Sequence, residues 1–560
     1  MNKTWQRGPS GNACADDPSL GPLFPRGATV SVVKLAVATA LLALAGCAVG
    51  PDFHRPAAPK VDSYTAQPLT SPVATAKIAG GEAQHFVPGA DIPADWWTLF
   101  HSPALNELIE QSLAHNADLK AAQAALTVAH ENTLAQRGAY YPTIGGSFSA
   151  SRQAQSQQVA PGPNYPVVPQ EYLYSFFTPQ LSISYAPDVF GLNRRTVESL
   201  KAQEQSVRFQ MIAARVTLST NVVAAAIQQA SLQAQVDATR QLVEINQRML
   251  KILHYQQSKG YAGGLDVSAQ EAQAAQVAAT LPPLLTQLAQ QRHLLAVLAG
   301  QFPSQAHAHP FAFADLRLPQ ALPLSLPSAL VAQRPDVRQA EANLHAASAQ
   351  IGIATANRLP NISLTANAGS TAVAIGQVFK TGTGFWSVGA DLAAPIFEGG
   401  MLLHQQRAAK AAYREAAAQY RSTVLTAFQN VADTLAALEQ DADGLQQGAK
   451  AAAAAKIALD LSQRQLQDGY ASYLTLLSAE QAYQQAQITL VQAQASRFSD
   501  TAALFQALGG GWWHHAGAAQ AEAGPTGTKL VDATRAGVSP PQGMRAGPKP
   551  FDPTQDADEH

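Results

Sequence analysis

The sequence predicts a mixed α/β membrane protein: a trimeric twelve-stranded outer-membrane β-barrel, four strands per chain, continued by a long α-helical coiled-coil tunnel, with an internal two-fold repeat. Three observations predict it. The chain repeats itself: Asn116-Ala117-Asp118 returns as Arg334-Pro335-Asp336 and Pro142 as Pro360, both 218 residues on. Lys259-Gly260-Tyr261 and Leu298-Ala299-Gly300 return as Asp468-Gly469-Tyr470 and Ala507-Leu508-Gly509, both 209 on. Each copy holds two segments of alternating apolar and polar residues, and each then runs into a helical pattern too long for a globular core. Such a unit buries little of itself and needs an assembly.

Asp95-Trp96-Trp97-Thr98-Leu99-Phe100 opens the ordered body, and a helix is predicted over 104–138, with Leu105, Leu108, Ile109 and Leu113 at helical spacing, ended before Pro142. Strands follow at 143–152 and 178–190. Ile144, Gly146, Phe148 and Ala150 share one side of the first; Leu181, Ile183 and Tyr185 alternate with Ser182 and Ser184 in the second. The second copy repeats this with Ile362, Leu364, Ala366 and Ala368, then Trp386, Val388, Ala390 and Leu392. The loops at 153–177 and 370–384 are rich in Gly, Pro, Ser, Thr and Gln, as an exposed rim would be.

Long helices are predicted over 193–258 and 402–467, each about 100 Å at 1.5 Å per residue. Val207, Met211, Ala214, Leu218 and Leu242, Ile245, Met249, Ile252 follow coiled-coil spacing. Gly260 and Gly469 stand where each helix needs a left-handed residue to stop, so each turns back at a tight tip. The returning helices cover 265–298, bent at Pro282-Pro283, and 474–508.

At the N-terminus, Lys34 precedes the apolar run Leu35–Ala45, and Leu44-Ala45-Gly46-Cys47 follows. This reads as a signal peptide ending in a lipobox, with Cys47 the acylated first residue of the mature chain; residues 1–29 lack signal character and read as a start-site artefact. Domain boundaries follow: 1–46 signal peptide, 47–94 lipid-anchored extended segment, 95–302 first repeat, 303–327 linker, 328–510 second repeat, 511–560 disordered tail.

Charged residues make up 14% and hydrophobic ones 47%, with a net charge of −2, which gives nucleic acid nothing to bind. No phosphate loop, nucleophile elbow or helical metal motif is present. His307 with His309 and His514 with His515 lie in linker and tail without carboxylate or Cys at ligand spacing, so no cofactor, metal or catalytic residue is expected. No apolar run reaches the roughly 18 residues of a spanning helix, so a bilayer would be crossed by strands. Four strands cannot enclose a lumen, and open edges cannot sit in lipid; three chains supply twelve strands, and their helices a tube. A tube on a membrane barrel is a conduit.

The lipobox with Gly50-Pro51-Asp52-Phe53-His54-Arg55-Pro56 resembles the opening of the NodT-type lipoprotein branch of the TolC and OprM outer-membrane efflux factors. Asp95-Trp96-Trp97 with Phe100, Asn357-Arg358-Leu359-Pro360-Asn361-Ile362, Pro395-Ile396-Phe397-Glu398-Gly399-Gly400 and the corner Asp188-Val189-Phe190-Gly191 resemble the same family in order, over about 47–510. The resemblance implies a homotrimer with a periplasmic helical tunnel. It also implies two protein partners, a periplasmic adaptor (membrane fusion protein) and an inner-membrane pump of the resistance-nodulation-division (RND) type. This chain would be the passive exit duct.

By the same resemblance, Leu474, Leu476, Leu477, Ser478 and Glu480 would form the periplasmic aperture, against an alternative in which the leucines are hairpin packing. The family commonly has an acidic residue where Ser478 stands. Adaptor contacts would fall at Gly260, Tyr261, Gly469 and Tyr470. The rivals are a TolC-like duct for type I protein secretion and a periplasmic adaptor or scaffold lipoprotein; the second would carry one hairpin, where this chain has two.

Overall fold

The structure, a computed structural model, describes residues 48–67, 78–155, 172–305, 311–468 and 470–514. The chain divides into a body reaching Trp512 and a separate unit from Trp513 on, of which only the Trp513 and His514 rings are described, 5.9 Å apart. Cys47, Gly469, the signal and start-site expectations for 1–46 and the disordered-tail expectation from 515 on lie outside the described residues.

The body opens with strand β1, His85–Pro88, followed by helices α1, Pro103–His115, and α2, Ala117–Arg137. Strands β2, Thr143–Gln155, and β3, Tyr172–Tyr185, lead into α3, Leu192–Ser258. Helices α4, Gly264–Ala279, and α5, Leu281–Leu298, return along it. Strand β4, Ala321–Leu324, bridges to the second copy: α6, Pro327–Gln333, and α7, Pro335–Ala356, then β5, Asn361–Ser370, and β6, Gly384–Ala393. The closing hairpin is α8, Met401–Gln467, with α9, Tyr473–Ala507. Both long helices are 67 residues, equal in length as the predicted spans 193–258 and 402–467 require.

The duplicated motif turns out to be a helix break. Asn116 caps α2, its Oδ1 accepting from Leu119 N at 3.0 Å, and so divides the helix expected over 104–138 into two. In the second copy Arg334 occupies the break, forked onto Asp336 at 3.0 and 2.7 Å and donating to Ala507 O at 2.9 Å. The long helices start at glycines in the left-handed region, Gly191 at φ 80° and Gly400 at φ 88°. Asp188 accepts from the N–H groups of Asn193 at 2.9 Å and Arg194 at 2.8 Å, satisfying two donors that α3 leaves unbonded. The bend expected at Pro282-Pro283 falls at Thr280; the prolines then occupy the first turn of α5, where a missing N–H is harmless.

Several expectations are corrected. Within the stretches expected as an extended segment, 47–94, and as a linker, 303–327, β1 and β4 pair in parallel, His85 with Ala321 through Pro88 with Leu324. Ile92, Phe311, Phe313, Leu316, Leu318 and Leu322 are buried. The body also ends two residues later than expected, at Trp512, whose ring meets Phe209 at 5.7 Å and whose Nε1 donates to Gln333 O. In the first half of α3 the buried stripe is Phe209, Ile212, Val216 and Val223, not Val207 and Met211, because α3 packs against several helices and its apolar residues occupy more than one stripe. α3 is also long and apolar enough by composition to cross a membrane; half of its most apolar window is buried within the protein.

The Trp-Trp segment ties the two copies together. Trp96, fully buried, stacks on Phe505 at 5.2 Å, Phe100 lies 6.3 Å from Phe498, and Phe498 stacks on Phe313 at 5.8 Å. These rings come from the N-terminal segment, the inter-copy segment and α9, so the long hairpin is fastened at its base. Each buried ring contributes about 2–3 kcal/mol of transfer free energy.

Candidate functional site

The four long strands form one antiparallel sheet in the order β2-β3-β5-β6. Ile144 pairs with Ile183, Phe148 with Pro179, Leu181 with Ala368, Ile183 with Ala366, Ala366 with Val388 and Ala368 with Trp386. Since side chains alternate along a strand, that registry collects apolar residues on one face. The face is bare in the protomer: Ile144 is 71%, Trp386 78%, Val388 75% and Leu392 70% exposed.

The opposite face carries Thr143, Gly145, Ser147 and Ser149 against Ser184, Ser182, Gln180 and Thr178, continued by Thr365 and Asn367, then Gly389 and Ser387. Gln180 donates to Asn367 at 3.1 Å and Asn367 to Ser387 at 3.4 Å, a polar ladder across three strands. Asp391, paired with Ser363, is the one charged side chain on this face among the described strand residues. β2 and β6 are open edges. The sheet therefore has one apolar face, one polar face and two unpaired edges, an arrangement that leaves both edges free to pair with a further strand.

At the far end of the helices are two tips. In both, a tyrosine N–H donates to a carbonyl five positions back: Tyr261 N to Gln256 O at 2.9 Å, and Tyr470 N to Gln465 O at 2.8 Å. Gly260, at φ 77°, makes the first of these Schellman turns possible, and an added Cβ there would meet nothing within 4 Å. Tyr261 and Tyr470 project into solvent, 85% and 86% exposed.

The residues expected at the aperture separate onto two faces of α9. Leu474 is 69% exposed and Ser478, one turn on, is exposed and donates to Leu474 O at 2.9 Å. Leu476 is instead buried in a cluster with Met249, Leu253, Val267, Leu459 and Tyr473, with Leu477 half-buried against it. Glu480 is buried on the Tyr473–Leu476 side and neither of its carboxylate oxygens has a hydrogen-bond partner. The reason is helical period: 473, 476 and 480 share the inward face, 474 and 478 the outward one.

Tyr473 bridges the two hairpins, donating to Gln270 Oε1, while Gln270 Nε2 donates to Asn246 Oδ1 at 2.9 Å and to Asn246 O at 3.2 Å. Burial pushes the Tyr473 hydroxyl up to about 12, with the Glu480 and Asp266 carboxylates adding to the shift. Burial likewise pushes Glu480 up to about 7. Sequence reading placed Glu480 at this tip but gave no sign that it would be unpaired.

Residues 48–55 are fixed to the junction of sheet and helices, a contact no sequence signal announced. Val49 N donates to Phe190 O at 3.1 Å, Arg195 Nε donates to Val49 O at 3.1 Å, and Arg195 Nη2 bonds Asp52 at 2.8 Å. That guanidinium holds the Asp52 carboxyl below the usual range.

The outer membrane efflux protein family model matches residues 108–301 and 326–510, one match to each copy. The chain is 31% identical over 500 residues to a probable efflux pump outer membrane protein, TtgC, of Pseudomonas putida, covering 88% of this chain and 98% of that one. It is 29% identical over 421 residues to the pyoverdine export outer membrane protein OpmQ of Pseudomonas aeruginosa, covering 74% and 87%. Among solved structures it resembles the outer-membrane channel OprN, with TM-score 0.72 and 27% identity over 83% of this chain and all of that one. VceC of Vibrio cholerae gives TM-score 0.68 and 28% identity over 75% of this chain and all of that one. With the family model matched over both long segments and TtgC matched over 98% of its length, this chain belongs to the outer membrane efflux protein family, of the TolC and OprM type.

Proposed function

We propose that this protein is the outer-membrane exit duct of a tripartite efflux system, passively conducting small molecules such as drugs and toxic organics to the exterior. The observation that carries it is the sheet: one apolar face, one polar face and two unpaired edges. β2 and β6 run in opposite senses, so β6 of one copy can accept β2 of the next as an antiparallel neighbour, and three copies close twelve strands. The apolar face then meets lipid and the Gln180–Asn367–Ser387 ladder meets water. The 67-residue helices carry the same lumen onward into the periplasm.

The chain's part is conduction, with energy supplied by an inner-membrane pump of the resistance-nodulation-division type reached through a periplasmic adaptor. Names such as toluene efflux and antibiotic efflux among the relatives support small apolar cargo. Leu474 and Ser478, on the exposed face of α9, are the aperture positions we retain. Cys47 is proposed as the site of a lipid anchor on the inner face of the outer membrane. In a deletion strain, susceptibility to hydrophobic antibiotics and organic solvents should rise and return to normal on complementation. An unchanged susceptibility profile, with loss of a secreted protein from the medium, would reassign the duct to protein export.

The tips are proposed as the adaptor contact, at Gly260, Tyr261, Gly469 and Tyr470. Two tyrosines more than four-fifths exposed are costly to leave in water and suit an interface. Replacing both, Tyr261→Ala with Tyr470→Ala, should weaken adaptor binding about tenfold or more while the trimer survives, at about 1.4 kcal/mol per decade. Pull-down of the adaptor with solubilised trimer reads this directly; undiminished capture would place the contact elsewhere.

A further inference from the structure

Arg195, near the start of α3, has a side chain only 5% exposed and spends its whole guanidinium on two clients. Glu198, a turn away, takes Nη1 at 2.7 Å. The N-terminal segment takes the rest: Nε donates to Val49 O at 3.1 Å, and Nη2 to Gly50 O at 3.3 Å and Asp52 Oδ1 at 2.8 Å. A planar fork reading two carbonyls and a carboxylate is a geometry that lysine cannot supply.

The seat beneath is built from glycine. A Cβ on Gly50, which sits at φ 102°, would lie 2.4 Å from the Cα of Gly352 in α7. One on Gly352 would lie 2.8 Å from Arg195 Cγ and 3.0 Å from Val49 O, and one on Gly191 2.7 Å from Ala48 Cβ. Downstream, Phe53 stacks on His345 at 4.3 Å and Arg55 meets Glu341 at 3.1 Å. Phe190, which accepts from Val49 N, lies five residues past the end of β3, on the corner where sheet gives way to helix. Ala48 directly follows Cys47 in sequence.

We propose that Arg195 is the seat for the chain's own N-terminal segment: with the Gly50–Gly352 contact it fixes residues 48–52 to the corner between sheet and helices, so that acyl chains on Cys47, the residue before, set the depth of the barrel in the membrane. This rests on Cys47 being acylated. An extended leader of about 40 residues at up to 3.3 Å each would let the body drift far from its lipid; a seat beginning one residue after the cysteine removes that freedom. Arg195 is a positioning residue, and the seat exists only once the corner has folded, which couples anchoring to insertion.

The test uses the full-length chain in outer membranes, with Arg195→Gln on α3 and Gly352→Val on α7 as independent variants. Palmitate labelling should be equal in wild type and both variants. Hydrogen exchange over residues 48–53 should rise about tenfold or more in both, a local opening, with that of α3 beyond its second turn unchanged. The yield of heat-modifiable trimer should fall toward that of Cys47→Ser. Arg195→Lys should recover part of the protection, through Asp52, but not the wild-type level.

Protection of 48–53 that persists in both variants would overturn the seat, as would lost protection with full trimer yield. Wild-type protein without palmitate would overturn the anchor reading alone. If a variant loses protection throughout α3, the body has misfolded; the other variant then decides, and general unfolding in both would overturn a specific seat in favour of a merely structural arginine.

Discussion

Val388→Arg should abolish the heat-modifiable trimer, while Ser387→Arg, one residue away, leaves it standing. Val388 is the fifth of ten residues in β6, on the apolar face, 75% exposed in the protomer and paired with Ala366. In the proposed barrel it faces lipid near the midplane, where an arginine costs about 2–4 kcal/mol. Threefold symmetry repeats that penalty three times, giving roughly 6–12 kcal/mol, comparable to the whole stability of a domain. Ser387, which accepts from Asn367, lies on the polar face, which in the same proposed barrel faces the lumen, so a charge there would stay in water. Cell fractionation with unheated and heated gels separates the outcomes. Equal tolerance of both substitutions would mean that the apolar face does not meet lipid.

The hairpin tip should loosen as pH rises from 5 to 8, and Glu480→Leu should remove that dependence. Glu480 is buried with both oxygens unpaired, so the folded tip favours the neutral acid and its pKa stands at about 7 in place of 4.5. For a carboxyl with a raised folded value, stability is fully present below the unfolded pKa and is lost as pH climbs through the folded one. At about 1.4 kcal/mol per pKa unit the loss is of order 2–3 kcal/mol, with Tyr473 and Asp266 the nearby titratable groups. Hydrogen exchange over 473–484, corrected for intrinsic pH dependence, should show protection falling in wild type and flat in the variant. A flat wild-type profile would show that water or a cation satisfies the carboxylate.

Much of the molecule was legible locally. The alternation of Ile144, Gly146, Phe148 and of Ala366, Ala368 determined strands with one apolar face, because a side-chain period of two needs no information from elsewhere. Gly260 marked a helix end through a conformation that most residues avoid. The offset of 209 shared by the predicted long helices, 193–258 and 402–467, determined that they match in length.

What the chain could not announce depends on segments far apart in sequence. β1 and β4 are four-residue strands with no visible alternation, and only their pairing across more than 200 residues defines them. The break at Asn116 was hidden because Leu105 to Leu113 and the residues beyond keep helical spacing on both sides of it. Whether Leu474 or Leu476 turns to solvent follows from where α4 and α8 lie against α9, and α9's own composition is apolar on both sides. Arg195 looks in sequence like an ordinary helix-surface charge; it becomes a seat because Gly50 and Gly352 let two backbones touch above it. Local periodicity and backbone stereochemistry thus determined the elements, whereas packing between distant elements decided which residues are walled in, which are bare and which hold the ends together.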